Sequence, residues 1–246
     1  MLCGYTQKKD KRGRIGTVTA GKDRTQARRR LSPDERREQI VAGAVRYFAQ
    51  VGLDGNTREL SKRLGVTQSL IFNYFSTKSD LIEAVYHSVY LDRLSPTWPV
   101  LITDRSQSLR DRMITFYTEY AEAIFTYDWM RIFMFSGLAG TRLNGRYLDH
   151  LSEFVLRPLL GELRAANPDL PPEMQPDMED VWNLHGGIVY IGIRRYVYQM
   201  PCPNNPQPAI LSAIDRFLAG LSSPDRAVTC RAGTGLGCKS AEHHTT

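Results

Sequence analysis

The stretch "GVTQSLIFNYFSTKSDL", residues 65–81, decides how the chain reads. A glycine opens it, Thr67 stands where a helix cap belongs, and Ile71 and Phe75 fall on one face four residues apart. With 100° per residue the buried direction lies between those two, so Ser69 and Asn73 point away from the core and Leu70 and Phe72 occupy the flanks. A short helix therefore keeps an aromatic ring and an amide near solvent. The corner Ser76-Thr77-Lys78-Ser79-Asp80 ends it and starts another helix, expected over 79–91, with Leu81, Ile82, Val85 and Val89 as its apolar face.

Upstream, Asn56 or Thr57 can cap a short helix whose Leu60 and Leu64 point inward and which Gly65 terminates. The connection Gly65-Val66-Thr67 has the length and the leading glycine that a helix-turn-helix requires. Ahead of it, Ser32-Pro33-Asp34-Glu35 is a helix start: a capping serine, a first-turn proline and carboxylates at the positive end of the helix dipole. Ile40, Ala44, Val45, Phe48 and Val51 then form one stripe, and Gly52 stops it.

Beyond Pro96 and Pro99 the pattern predicts helices near 106–126, 128–139, 143–166, 175–200 and 206–221, with no strand-like alternation. Prolines 171, 172 and 176 mark one boundary and prolines 201, 203, 206 and 208 another. The expected fold is all-α. Residues 1–31 read as a basic disordered arm, 32–91 as a helix-turn-helix domain, 92–221 as a larger helical domain and 222–246 as a flexible tail.

Charge is unevenly placed. The net charge is +6, yet residues 1–30 hold ten Lys/Arg against Asp10 and Asp23. Residues 31–90 balance. A basic arm before a neutral domain suits either a solvated tail or a polyanion partner. With 42% apolar residues the chain can bury a real core. It shows neither a membrane-length apolar run nor a signal-peptide apolar region, so a cytoplasmic protein with no membrane partner is expected. Cys3, Cys202, Cys230 and Cys238 lack metal-site spacing and read as free thiols, and no metal or cofactor is expected.

An enzyme finds little support. Asp149, His150 and Glu153 place acids and a histidine on one helix without a nucleophile or a second metal ligand. Gly233-Thr234-Gly235-Leu236-Gly237 neither follows a strand nor opens a helix, as a nucleotide loop would.

From Arg36 to Val89 the sequence resembles the tetracycline-repressor (TetR/AcrR) family of bacterial transcription regulators. The segments "IVAGAVRYFAQVGLDGNT" (40–57) and "RELSKRLGVTQSLIFNYFSTKSDLIEAV" (58–85) carry the resemblance. It implies that the helix from Thr67 to Phe75 enters the major groove of a palindromic double-stranded operator. By position, Gln68 and Asn73 match residues that reach base edges, and Ser69 and Leu70 match residues at the base-pair surface. Phe72 matches an aromatic that packs on a thymine methyl or the groove wall, and Thr57, Thr67, Tyr74 and Lys78 match phosphate contacts. The chemistry agrees, since Gln and Asn amides fit the adenine edge while hydroxyls and a lysine suit phosphate. In most relatives the loop between Gly52 and Leu60 is one residue longer, so a tightened or rotated entry to the second helix is expected.

The same resemblance implies a ligand cavity among the middle helices and a homodimer interface from the last two. Phe116, Tyr117, Tyr120, Trp129, Phe133, Met134, Trp182 and His185 are the candidate pocket residues, since aromatic walls with a few polar tips suit a mostly apolar small-molecule effector. Each of them also suits ordinary core packing. A repressor released by such an effector is the expected function, with a DNA-binding dimer lacking a small-molecule ligand as the alternative.

Overall fold

The computed structural model describes residues 31–140 and 142–221. The basic arm up to residue 30 and the C-terminal tail lie outside the described residues. Helix α1 (Pro33–Val51) starts in a capping box: the Glu35 N–H donates to Ser32 Oγ at 3.1 Å, and the Ser32 N–H donates to Glu35 Oε2 at 2.8 Å. Gly52 ends it at φ +87°, a region that side chains resist.

Helix α2 (Thr57–Leu64) takes Asn56 as its cap, the Arg58 N–H donating to Asn56 Oδ1 at 2.7 Å. It ends on Gly65 in the left-handed region, φ +64°, where the Val66 N–H reaches back to the Ser61 carbonyl at 3.0 Å. Helix α3 (Gln68–Tyr74) is capped by Thr67, whose Oγ1 accepts from the Leu70 N–H. Helix α4 (Lys78–Val89) begins one residue earlier than expected, because Thr77 and Asp80 form a second capping box. A 3-10 turn, Leu91–Arg93, follows it.

The larger half comprises α5 (Trp98–Thr103), α6 (Leu109–Ile124), α7 (Tyr127–Leu138), α8 (Arg142–Leu151), α9 (Arg157–Ala165), α10 (Met178–Tyr196) and α11 (Gln207–Leu221). The described residues contain no strand, and none of their helices is long and apolar enough to cross a membrane. Besides the short α5, which none of the expected helices covers, two details depart from the periodicity. The single helix expected over 143–166 is broken by a π-helical segment, Ser152–Leu156, just ahead of Pro158. Proline cannot donate to the carbonyl four residues back and its ring crowds it, so the preceding turn widens. The helix expected from 175 starts at Met178, where Asp177 and Asp180 form a third capping box.

Ile40, Ala44, Phe48, Leu60, Ile71, Leu81 and Val85 fill the core of the small domain, each no more than 1% exposed. Burying the Ile, Phe, Leu and Val side chains among them contributes about 1.5–3 kcal/mol apiece, which compensates for helices too short to persist alone. In the larger half α6 packs against α5, α10 and α11, and α7 against α1, α8 and α10. A buried ion pair braces it: Arg112 Nη1 donates to Glu162 Oε2 at 2.9 Å and to the Ile102 carbonyl. Arg105 adds a forked contact to the same carboxylate at 2.9 and 3.0 Å, holding the Glu162 pKa below the usual carboxylate range.

Candidate nucleic-acid interface

Two anchors orient α3. Ile71 is 1% exposed and Phe75 3%, so the helix is fixed by one edge and Ser69, Phe72 and Asn73 are presented to solvent. Phe72 is 39% exposed and stands beside Asn73 on the outward side. Leu70 and Tyr74 are half-buried on the flanks. Arg37 of α1 lies over the Phe75 ring, 5.0 Å from its centroid, and closes the inner side.

The residues expected to contact phosphate differ in exposure: Thr67 is exposed, Tyr74 and Lys78 are half-buried and Thr57 is buried. Thr67 Oγ1 lies 3.0 Å from Ser69 Oγ, so the cap and the first exposed hydroxyl share one hydrogen bond. Lys78 is the first residue of α4, half-buried beside the end of α3. Thr57 is buried, and its Oγ1 accepts from Gln68 Nε2 at 3.0 Å. That bond ties the start of α2 to the start of α3.

The entry to α2 is tight. Tyr47 Oη accepts from the Asn56 N–H at 2.9 Å, and a Cβ on Gly55 would stand 2.6 Å from the Tyr47 ring. Glycine at 55 is what lets the loop close onto the tyrosine. Arg63 covers the same ring at 4.8 Å and donates to Gln50 Oε1. Sequence periodicity placed Tyr47 on no functional face, and its partners lie too far along the chain for local patterning to reveal.

Three arginines join α1, α4 and the 3-10 turn after α4 to the helices that follow. Arg131 Nε donates to the Ala49 carbonyl at 2.6 Å, supplying a partner that the last turn of α1 lacks. Arg146 Nη1 donates to both carboxylate oxygens of Glu83 on α4 at 2.9 Å, and its guanidinium lies over the Tyr86 ring. Arg93 Nη1 donates to the Ala123 carbonyl and to Thr126 Oγ1 between α6 and α7.

The expected pocket residues other than Met134 lie in one connected aromatic cluster. Phe116, Tyr117, Tyr120 and Trp129 are at most 1% exposed, His185 is 4% exposed, and Phe133, Met134 and Trp182 are half-buried. Tyr120 Oη pairs with Tyr147 Oη at 2.8 Å and lies 3.5 Å from His185 Nε2. Trp129 stacks on Phe133 and meets Tyr147 edge-on. Burial drives the His185 pKa down to about 4, so the ring is neutral at pH 7. Three grooves of 310, 560 and 820 Å³ open elsewhere on the surface, and none is lined by any of the eight. The described residues include no His, Cys, Asp or Glu cluster able to hold a metal.

Residues 40–85 match the family described as bacterial regulatory proteins, tetR family. The HTH-type transcriptional regulator LuxR of Vibrio harveyi is 35% identical over 63 residues, 25% of this chain and 31% of that protein. The chain thus matches less than a third of that relative's length. Among solved structures, a tetR-family transcriptional regulator from Streptomyces coelicolor superposes with a TM-score of 0.53 at 16% identity, covering 82% of this chain and 89% of that one. One from Pseudomonas syringae pv. tomato gives 0.51 at 16% identity, covering 77% and 97%. At such identities the likeness establishes the fold and leaves the ligand open.

Proposed function

Because the chain belongs to the TetR family of bacterial regulatory proteins, we propose that it is a homodimeric repressor that binds a palindromic operator through α3 and is released by a small, mostly apolar effector. One observation carries the reading: α3 is pinned by Ile71 and Phe75 while Ser69, Phe72 and Asn73 stand outward with no core to serve. Asn73 and Gln68 would specify bases, whereas Thr67, Tyr74, Lys78 and, behind them, Thr57 would fix the register on phosphates.

Two copies of α3 must sit about 34–36 Å apart to enter successive major grooves on one side of the duplex. The pair α10 and α11 is the candidate interface. Gly186, Gly187 and Tyr190 of α10 are exposed beside half-buried Val189 and Ile193, a flat, partly apolar face with room for a neighbouring helix. An effector among α6, α7 and α10 would act on α3 through the joints at Arg131, Arg146 and Arg93. Effector and operator would then lower each other's affinity by the same factor.

The test is selection of bound fragments from a random DNA pool. A two-fold symmetric motif is the expected result, and recovery of unrelated sequences would reject the reading. Removing residues 1–30, with their ten basic side chains, should weaken binding to every sequence and flatten its salt dependence. An unchanged slope would set the arm aside.

A further inference from the structure

Behind α5 lies an apolar groove of about 560 Å³, lined by Leu91, Leu94, Trp98, Leu151 and Phe154 among others, and no Lys, Arg, Asp or Glu contributes to its wall. The volume falls within the range of small-molecule sites. One wall is the π-helical segment Ser152–Leu156, a widened turn of a kind frequent at functional sites. Phe154 from that turn is 49% exposed and packs on His150, their rings 4.5 Å apart.

Trp98 is the floor of the groove, and its far side meets the aromatic cluster. Its ring lies 5.4 Å from Phe116 and 5.6 Å from Tyr120. The indole is tethered by one hydrogen bond, Nε1–H to Glu119 Oε2 at 2.9 Å, and Glu119 is exposed, so water can replace that partner. Immediately beyond, polar atoms are buried without partners: Tyr117 Oη, Trp129 Nε1 and His185 Nδ1. Buried groups of this kind are costly and uncommon, and the three in this cluster can be satisfied by water or by a ligand that displaces it.

We propose that this groove is the mouth of the effector site, and that with Trp98 turned aside the core behind it takes a neutral, largely apolar molecule carrying hydrogen-bond acceptors. The inference rests on the ligand-responsive reading above and adds the route and the chemical class. The phenol of Tyr117 and the indole of Trp129 are donors awaiting acceptors. Within the core a carboxylate would find no free counter-charge, because the Arg112 guanidinium is paired with Glu162 and His185 is neutral.

Three bicyclic probes of similar shape test it on the full chain without DNA: coumarin, naphthalene and coumarin-3-carboxylate. Coumarin should raise Tm and quench tryptophan fluorescence, naphthalene should bind about tenfold more weakly for want of an acceptor, and the carboxylate should do neither. Tyr117→Phe should raise the Tm of the unliganded protein by about 3 °C, because an unpaired buried hydroxyl is removed, and should reduce coumarin to the affinity of naphthalene. Leu94→Trp, which fills the groove at a half-buried position, should abolish binding of both.

Equal binding of naphthalene and coumarin, a preference for the carboxylate, no response to coumarin, or full binding by Leu94→Trp would each overturn the proposal. A mobility shift on operator DNA separates the two readings. A chain that binds operator but not coumarin defeats this inference alone. A chain that binds coumarin without any change in operator affinity upholds the site and defeats the ligand-responsive reading.

Discussion

The two halves of the molecule leave their unsatisfied chemistry on opposite sides. The small domain turns Phe72, Asn73 and Ser69 outward from a minimal core, whereas the larger half encloses Tyr117, Trp129 and His185 in its centre. Exposed groups can meet a partner that arrives from solvent as a surface, such as a duplex. Enclosed ones can meet only a partner small enough to enter. The contrast therefore separates the two proposed functions by location, and substitutions should respect that separation.

The largest effect should come from removing what supports the outward face. Ile71→Ala deletes the chief anchor of α3, and a loss of about 3 kcal/mol in denaturant unfolding is expected, with operator binding lost in parallel. If binding survived at full strength, the outward face would not depend on that anchor.

Acid should strike the other half almost as hard. The His185 pKa is pushed down to about 4 in the folded chain, against 6.5 when unfolded. The unfolded chain therefore holds the extra proton between those values, and the stability contributed by neutral His185 is full above about pH 6.5 and falls away towards pH 4. The loss amounts to about 3 kcal/mol. His185→Gln should remove that slope in a pH series of unfolding curves, while Glu162, with its lowered pKa, continues to cost stability at still lower pH.

Smaller effects should be confined to DNA. Asn73→Ala, at an exposed position, should leave Tm within a degree or two yet remove about 1–3 kcal/mol of discrimination against altered base pairs, read by competition between operator variants. Lys78→Ala should weaken binding evenly across sequences and lower the salt slope by about 1. A change of specificity in Lys78→Ala, or of salt slope alone in Asn73→Ala, would exchange their roles.

Much of the small domain was legible because its signals are local. Ser32, Thr67, Gly52 and Gly65 mark helix ends within a turn of themselves, and the four-residue spacing of Ile71 and Phe75 gave the buried direction of α3. The link from Gln68 to Thr57 was not legible, since it joins two helices across eleven positions. In the larger half, helices α6, α7, α10 and α11 lie within a few residues of their expected bounds. The short α5 and the π-helical segment did not announce themselves. One is too short to show a period, and the other is a change of register that apolar spacing averages away. The aromatic candidates on α6, α7 and α10 do form one cluster, but periodicity cannot tell which rings pack closed and which admit a guest.

The joint at Arg131 bears on how such a molecule can change over time. Its guanidinium holds the Ala49 carbonyl, a main-chain atom present whatever residue occupies that position, and Phe135 rests against Gly52 at 3.3 Å from where a side chain would begin. At this point the connection between the halves asks for a backbone path and a glycine and is nearly indifferent to the surrounding letters. A head with other outward residues on α3 could be joined to the same body at this point, provided that it kept Glu83 and Tyr86 for Arg146.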